Sequence, residues 1–320
     1  MSQSFVNRLP LARQAVDRDY LSRSRPALYD ELLADPATRI LPLWKGKALV
    51  AGHALRLLRA EEVTSATVRV YLGRTTAEAE GEPIGTPVIA VVLTDAAAGE
   101  LAPEEESWGN LRSLAEHMSE RDTGLFTEAL AIANWHESHG FSPRNGEPTV
   151  VEEAGWVRRS FADDSQVFPR TDAAIIVCVI DDQDRLLLGS NAMWGTGRFS
   201  LLAGFVEPGE SLEAAVIREI FEESGMRVVD PEYLGSQPWP FPASLMVGFR
   251  ARLAPDQEPA ALRPDGAEIV ELRWFTREQL RDAANTVLLP GRSSIARAMI
   301  EDWYGGELGT DAATGRPAAQ

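Results

Sequence analysis

The sequence predicts a mixed α/β (α+β) protein, and three observations lead there. Strand-like apolar runs rich in β-branched residues alternate with helical patterns along the whole chain. At 320 residues it has room for about two domains, on the usual scale of roughly 100–200 residues each. A hydrophobic content of 44%, punctuated by 25 Gly and 20 Pro, belongs to a folded chain and excludes disorder as its main state.

In order, the runs Ala48–Leu58, Ala66–Leu72 and Pro87–Leu93 read as strands of an amino-terminal α/β domain, 1–134. Helices are expected at Trp108–Met118 and Gly124–Ser138, the second with Leu125, Ala129, Ile132 and Trp135 on one face. From about 135 to 170 the composition turns to Ser, Pro, Gly, Asn and charge, which reads as a connector. Ala173–Ile180 is then a buried strand, with Arg185–Gly189 as its hairpin partner. A short strand ending at Leu202, Ser244–Leu253 and Ala267–Phe275 complete a second domain over 171–308. Thr276 and Ser293 are expected to cap two closing helices, and the small, polar stretch 309–320 reads as a frayed tail.

The chain has 48 acids against 31 bases, a formal charge of −17, which disfavours nucleic acid and anionic lipid unless bases cluster locally. The single Cys178 allows no intrachain disulfide and no Cys-based zinc site, and reads as a small buried hydrophobe in a reducing, cytoplasmic protein. No signal peptide or membrane-length apolar run is recognised. His53 and His117 carry no motif.

Six of the acids fall between Gly204 and Gly225. There Ser211 can cap a helix over Leu212–Ser224 that Gly225 ends. Glu219, Glu222 and Glu223 stand at i, i+3 and i+4, so three carboxylates share one turn. Such repulsion calls for a cation, and an all-oxygen donor set selects Mg²⁺ or Mn²⁺. Arg218 can fix an acid's rotamer with its planar fork. Leu212, Val216, Ile217, Ile220 and Phe221 are expected to anchor the helix on a sheet. A plain solvated acidic face is the competing reading.

The spacing G-x5-E-x7-R-E-U-x-E-E-x-G-U, with U apolar, is met at Gly204, Glu210, Arg218, Glu219, Ile220, Glu222, Glu223, Gly225 and Met226. It is the Nudix box, and the chain resembles a Nudix hydrolase. The resemblance implies an α/β/α sandwich with a mixed sheet and cleavage of a nucleoside diphosphate linked to another group. It also implies Glu219 and Glu223 as metal ligands with Glu222 beside them, Glu223 as the base, and Ala203 lending a backbone ligand. A further acid is expected from a later strand, Glu268 first and Glu271 second.

Ten residues past the box stands SQPWPFPAS, Ser236–Ser244. Three prolines and two aromatics make a stiff rim suited to stacking on a flat ring, worth about 1–3 kcal/mol per ring by analogy with nucleic-acid stacking. A Pro-rich packing turn is the plainer reading. At this spacing the segment resembles that of the NADH pyrophosphatase (NudC-like) subfamily, as do FPR at Phe168–Arg170, LLAGFVE at Leu201–Glu207, SLMVGF at Ser244–Phe249 and the closing SIARAMIEDW. This similarity spans about Trp135 to Trp303. It implies that Gln237, Pro238, Trp239, Pro240, Phe241, Pro242, Ala243 and Ser244, with Phe168, Phe205 and Ala296, contact a dinucleotide, NADH or NAD⁺. It also implies a homodimer.

Relatives carry a four-cysteine zinc ribbon after a WHxxHxF segment, here Trp135–Phe141. This chain has Ser142, Asn145, Ser160 and Ser165 near those places, so a degenerate, zinc-ribbon-like connector without zinc is expected. Hydrogen bonds, packing or a dimer interface would then hold it, and His136 with His139 is a weak alternative metal pair. Two rival functions remain: removal of NAD caps from RNA, for which Arg158, Arg159 and Arg170 are the nearest positive track, and a sensor that binds NAD or ADP-ribose without cleaving it.

Overall fold

A computed structural model of the chain describes residues 3–309 apart from positions 64, 80, 284 and 285. The expected tail lies outside the described residues beyond Gly309. The strands are β1 Val16–Asp17, β2 Arg39–Trp44, β3 Lys47–Ala51, β4 Ala54–Leu55, β5 Val68–Thr75, β6 Pro87–Val92, β7 Trp108–Gly109, β8 Thr149–Glu152, β9 Val157–Ser160, β10 Gln166–Val167, β11 Asp172–Ile180, β12 Leu186–Asn191, β13 Leu202–Phe205, β14 Val228–Trp239, β15 Ser244–Leu253 and β16 Ile269–Phe275. The helices are α1 Gln3–Val6, α2 Leu28–Ala34, α3 Asp95–Leu101, α4 Leu111–Leu114, α5 Glu120–Ser138, α6 Leu212–Ser224, α7 Arg277–Asp282 and α8 Ile295–Tyr304. They form two compact units. One holds the described residues up to Ala12, Asp172–Pro238 and those from Ser244 onward, and the other holds Arg13–Thr171 and Trp239–Ala243.

In the first unit the strand order is β14-β15-β11-β12-β16, with β13 also on β11. β11 runs parallel to β15 and antiparallel to β12 and β13, so the sheet is mixed. The apolar run of β11 explains the layering, because successive side chains point to opposite faces of a strand. Ile175, Val177 and Val179 pack with Ala215, Val216 and Ile220 of α6. Ile176, Cys178 and Ile180 pack with Ile295, Met299, Ile300 and Trp303 of α8. The result is the expected α/β/α sandwich. Phe5 and Leu9 enter the α8 side of this core, so the start of the chain belongs to this unit. Burial pushes the Cys178 thiol up to about 12, as suits an inert core residue.

Ile217 and Phe221 correct one expectation: they are exposed rather than packed on the sheet. At about 100° per residue they lie to one side of the buried Val216 and Ile220, and the buried face takes Glu223 and Ser224 instead. An apolar residue beside an amphipathic stripe is not thereby part of it.

In the second unit the sheet order is β1-β5-β6-β2-β3-β4, with β7 on β3. Leu125, Ala129, Ile132 and Trp135 of α5 are buried as expected, but so are Arg121, Asp122 and Glu128. The Arg121–Asp122 ion pair and the Leu55 N–H, which donates to Asp122 Oδ2 at 2.9 Å, satisfy part of that buried polarity. The helix expected at Trp108–Met118 is not continuous. Trp108 pairs with Leu49 as strand, and Asn110 then caps the single turn of α4, accepting from the Arg112 N–H at 2.9 Å.

The connector is a three-stranded sheet, β10-β9-β8. Its cysteine-equivalent positions are held by polar contacts: Asn145 Nδ2 donates to Ser160 Oγ at 3.1 Å, and the Ser160 N–H donates to the Ser165 carbonyl at 2.9 Å. Buried Arg158 donates to Thr149 Oγ1 at 2.6 Å and to His136 Nδ1 at 2.9 Å. His136 Nε2 in turn donates to the Gly155 carbonyl at 2.8 Å, so both ring nitrogens are used and the ring is fixed as the neutral tautomer. Burial, then Arg158 and His139, lower its pKa to about 4 against the one favourable Gly155 bond. Because the folded value lies below the unfolded one, its stabilising contribution is complete above about pH 6.5 and is lost as the pH falls from there through 4. Denaturant titrations should therefore show the stability advantage of wild type over His136→Gln shrinking across that window. A pH-independent difference would contradict the assigned tautomer.

Candidate active site

Local chemistry builds the site on the carboxy-terminal unit. Ser211 caps α6 by accepting from the Ala214 N–H at 3.1 Å, and Gly225 ends it in the left-handed region at φ 70°. The loop before it is closed by the Glu207 N–H, which donates to Glu210 Oε1 at 2.7 Å. Arg218 then brackets the acids. Its Nη2 donates to Glu210 Oε1 at 2.5 Å and to the Phe205 carbonyl at 2.9 Å, while its Nη1 lies 2.9 Å from both Glu219 Oε1 and Glu222 Oε2. The three carboxylates, Glu210 foremost, raise the Arg218 pKa, and the guanidinium lowers that of Glu210. Four groups from one loop and one helix are thereby locked together.

Gly204 stands opposite Ile175 in the sheet. A Cβ there would lie 2.0 Å from Glu219 Cδ, so the absence of a side chain is what admits the Glu219 carboxylate. Ala203 precedes it, opposite Ile176.

Glu223 is the chemically distinctive group. It is only 5% exposed, and its Oε2 has no hydrogen-bond partner. Burial pushes its pKa up to about 8, followed by the charges of Glu268, Glu219, Asp265 and Glu222. Burial also raises Glu219, against the pull of Arg218. A buried carboxylate with an orphaned oxygen and four acids raising its pKa is what a divalent cation would relieve, so the residues fit one. Among the described residues no three such side chains yet converge on a single point. Glu219 and Glu222 are instead turned onto Arg218. Glu268 acts on both Glu219 and Glu223, whereas Glu271 pairs with Arg273 at 2.5 Å. This favours Glu268 as the later-strand acid.

The residues expected at the substrate are placed unevenly. In the carboxy-terminal unit Phe205 is exposed, and Pro238 and Ser244 are half-buried. Ala296 is buried in the α8 core. Gln237 is fully buried, its Oε1 accepting from the Leu11 N–H at 3.3 Å and its Nε2 donating to the Ser293 carbonyl at 3.0 Å. Its amide thereby ties the 3-10 turn Pro10–Ala12 to the segment before α8. In the amino-terminal unit Phe168 is exposed, and Trp239 and Phe241 meet edge to face with centroids 4.9 Å apart. Two residues without a sequence signal hold that rim. The Arg112 guanidinium lies 4.0 Å from the Phe241 centroid and 5.2 Å from that of Trp239, and Asn134 Nδ2 donates to the carbonyls of Pro240 and Pro242, both at 3.0 Å. The candidate RNA track is not free: Arg158 is buried, Arg159 is paired with Glu152 and Asp164, and Arg170 also has a partner.

Two parts of the chain match known families. Residues 169–297 match the NUDIX domain, and residues 37–135 match the NADH pyrophosphatase-like rudimentary NUDIX domain. A Mycobacterium bovis protein named NAD-capped RNA hydrolase NudC is 47% identical over 204 residues, 61% of this chain and 64% of its own length. A Mycobacterium tuberculosis protein of the same name gives the same figures. A human protein named NAD-capped RNA hydrolase NUDT12 is 37% identical over 200 residues, 58% of this chain and 42% of its own length. The matches thus span less than two thirds of these relatives. With the box assembled on α6, residues 169–297 thus carry a NUDIX domain, preceded at 37–135 by a match to the NADH pyrophosphatase-like rudimentary NUDIX domain.

Proposed function

We propose that the chain is a metal-dependent pyrophosphohydrolase that splits NADH, and less selectively NAD⁺, into nicotinamide mononucleotide and AMP. The observation that carries this reading is the buried, unpartnered Glu223 Oε2 set beside an acid cluster that Arg218 holds in order. Glu219, Glu222, Glu223 and Glu268 would hold Mg²⁺ or Mn²⁺, with Ala203 adding a backbone oxygen. Such a cation, when bound, neutralises pyrophosphate oxygens and acidifies water. Water attacks one phosphorus as the P–O bond to the bridging oxygen breaks, and Glu223 Oε2 takes the proton. Arg218 keeps Glu219 and Glu222 from swinging away. No covalent intermediate is required. The enzyme is proposed to work as a cytoplasmic homodimer. No helix among the described residues is long and apolar enough to cross a membrane.

The names of the relatives favour a second reading, removal of NAD caps from RNA by the same bond cleavage. The occupied state of Arg158 and Arg159 weighs toward the free dinucleotide. Turnover of NADH should require Mg²⁺ or Mn²⁺ and vanish with EDTA. In direct competition NADH should win by a ratio that varies little across a salt series. A preference for capped RNA that falls steeply with salt would overturn the substrate assignment in favour of the second reading.

A further inference from the structure

Glu268 does not belong to α6, yet it sits at the site only if the chain near the start of β16 is bent to present it. Two side chains outside the box do that. Asp265 Oδ1 accepts from three successive backbone N–H groups, those of Ala267, Glu268 and Ile269, at 2.9, 3.0 and 2.9 Å. This is a closed Asx turn that fixes the backbone at Glu268 itself. From the neighbouring strand, Asn191 Nδ2 donates to Glu268 Oε1 at 3.1 Å, and the Ala192 N–H donates to the Glu268 carbonyl at 2.8 Å. Asn191 Oδ1 is itself occupied, accepting from the Met193 N–H at 2.8 Å, so the amide has one orientation.

The sheet is built to bring Asn191 there. β12 and β16 pair regularly from Leu186 opposite Phe275 to Ser190 opposite Glu271, and then the register slips so that Asn191 faces Ile269. The skipped residue, Val270, is left half-exposed. Without that bulge the strand's strict alternation would continue, and a bulge is the usual device for re-aiming one side chain beside a site.

We propose that Asn191 and Asp265 are positioning residues for Glu268: Asp265 sets the backbone from which it projects, and Asn191 sets the orientation of its carboxylate toward the acids of α6. This rests on the metal reading above. One Glu268 oxygen is held by Asn191, which leaves the other for the cation. Removing an orienting partner of this kind costs about 10–100-fold in metal affinity.

The test is Mn²⁺ titration of the full-length protein without substrate, following the free-ion signal by electron paramagnetic resonance, with melting temperature read alongside. Asn191→Ala and Asp265→Ala should each weaken Mn²⁺ by about 10-fold. Asp265→Asn, which keeps the accepting oxygen, should stay near wild type. Asn191→Asp preserves the side-chain shape but places a carboxylate against Glu268, and it carries the test should the Ala variant fail to fold. Glu268→Gln is the control. If that control loses affinity while Asn191→Ala, Asn191→Asp and Asp265→Ala bind like wild type, the proposal is overturned and the functional reading stands. If wild type binds no Mn²⁺, the metal reading falls and takes the proposal with it.

Discussion

Glu223→Gln should lower the rate of NADH hydrolysis by about 10³-fold, within the range general-base groups supply, while leaving the melting temperature unchanged or raised. The two halves of this expectation have one cause. The native carboxylate is buried, has an oxygen with no donor, and faces Glu268, Glu219, Asp265 and Glu222. Such an arrangement serves chemistry at the expense of the fold, so the neutral isostere removes repulsion while removing the proton acceptor. Steady-state rates with a thermal melt decide it. Near-normal activity in the variant would remove Glu223 from its assigned role.

Gly204→Ala should cost about 10²-fold in activity, the scale on which an ångström of misplacement acts at a reacting centre, with little loss of stability. The new methyl group would fall 2.0 Å from Glu219 Cδ and 2.1 Å from its Oε1. What must yield is the end of a flexible side chain and not backbone, so the sheet survives and the carboxylate leaves. Glu219 would then lose its place 2.9 Å from Arg218 Nη1. A variant with full activity would show that the position of Glu219 against β13 is incidental. A variant that fails to fold would show that the glycine serves the sheet and not the site.

How much of this was legible in the sequence depended on distance along the chain. The bounds of α6, its Ser211 cap and its Gly225 stop were legible because each is a contact within a few residues. So were Thr276, which caps α7 in a capping box with Gln279, and the two-faced burial of β11. Ile217 and Phe221 were misplaced because helical periodicity gives the spacing of a stripe but not its edges. The buried tie of Gln237 to Leu11 and Ser293 joins parts of the chain separated by 226 and 56 residues. Asn134 and Arg112 reach the aromatic rim across comparable gaps, and nothing in their own neighbourhoods marks them. Asp265 and Asn191 fall between the cases: D-x-x-E before a strand hints at an Asx turn, but only the slipped register brings Asn191 to it. The Arg158–His136–Gly155 hydrogen-bond chain of the connector emerged only once the strands were paired.

The most direct measurement is product analysis after mixing the protein with NADH and Mg²⁺ in oxygen-18 water. The account predicts AMP and reduced nicotinamide mononucleotide, with one heavy oxygen incorporated on phosphorus, and product formation slowed about 10³-fold in Glu223→Gln. Tight binding without products, or release of nicotinamide with the pyrophosphate intact, would contradict it.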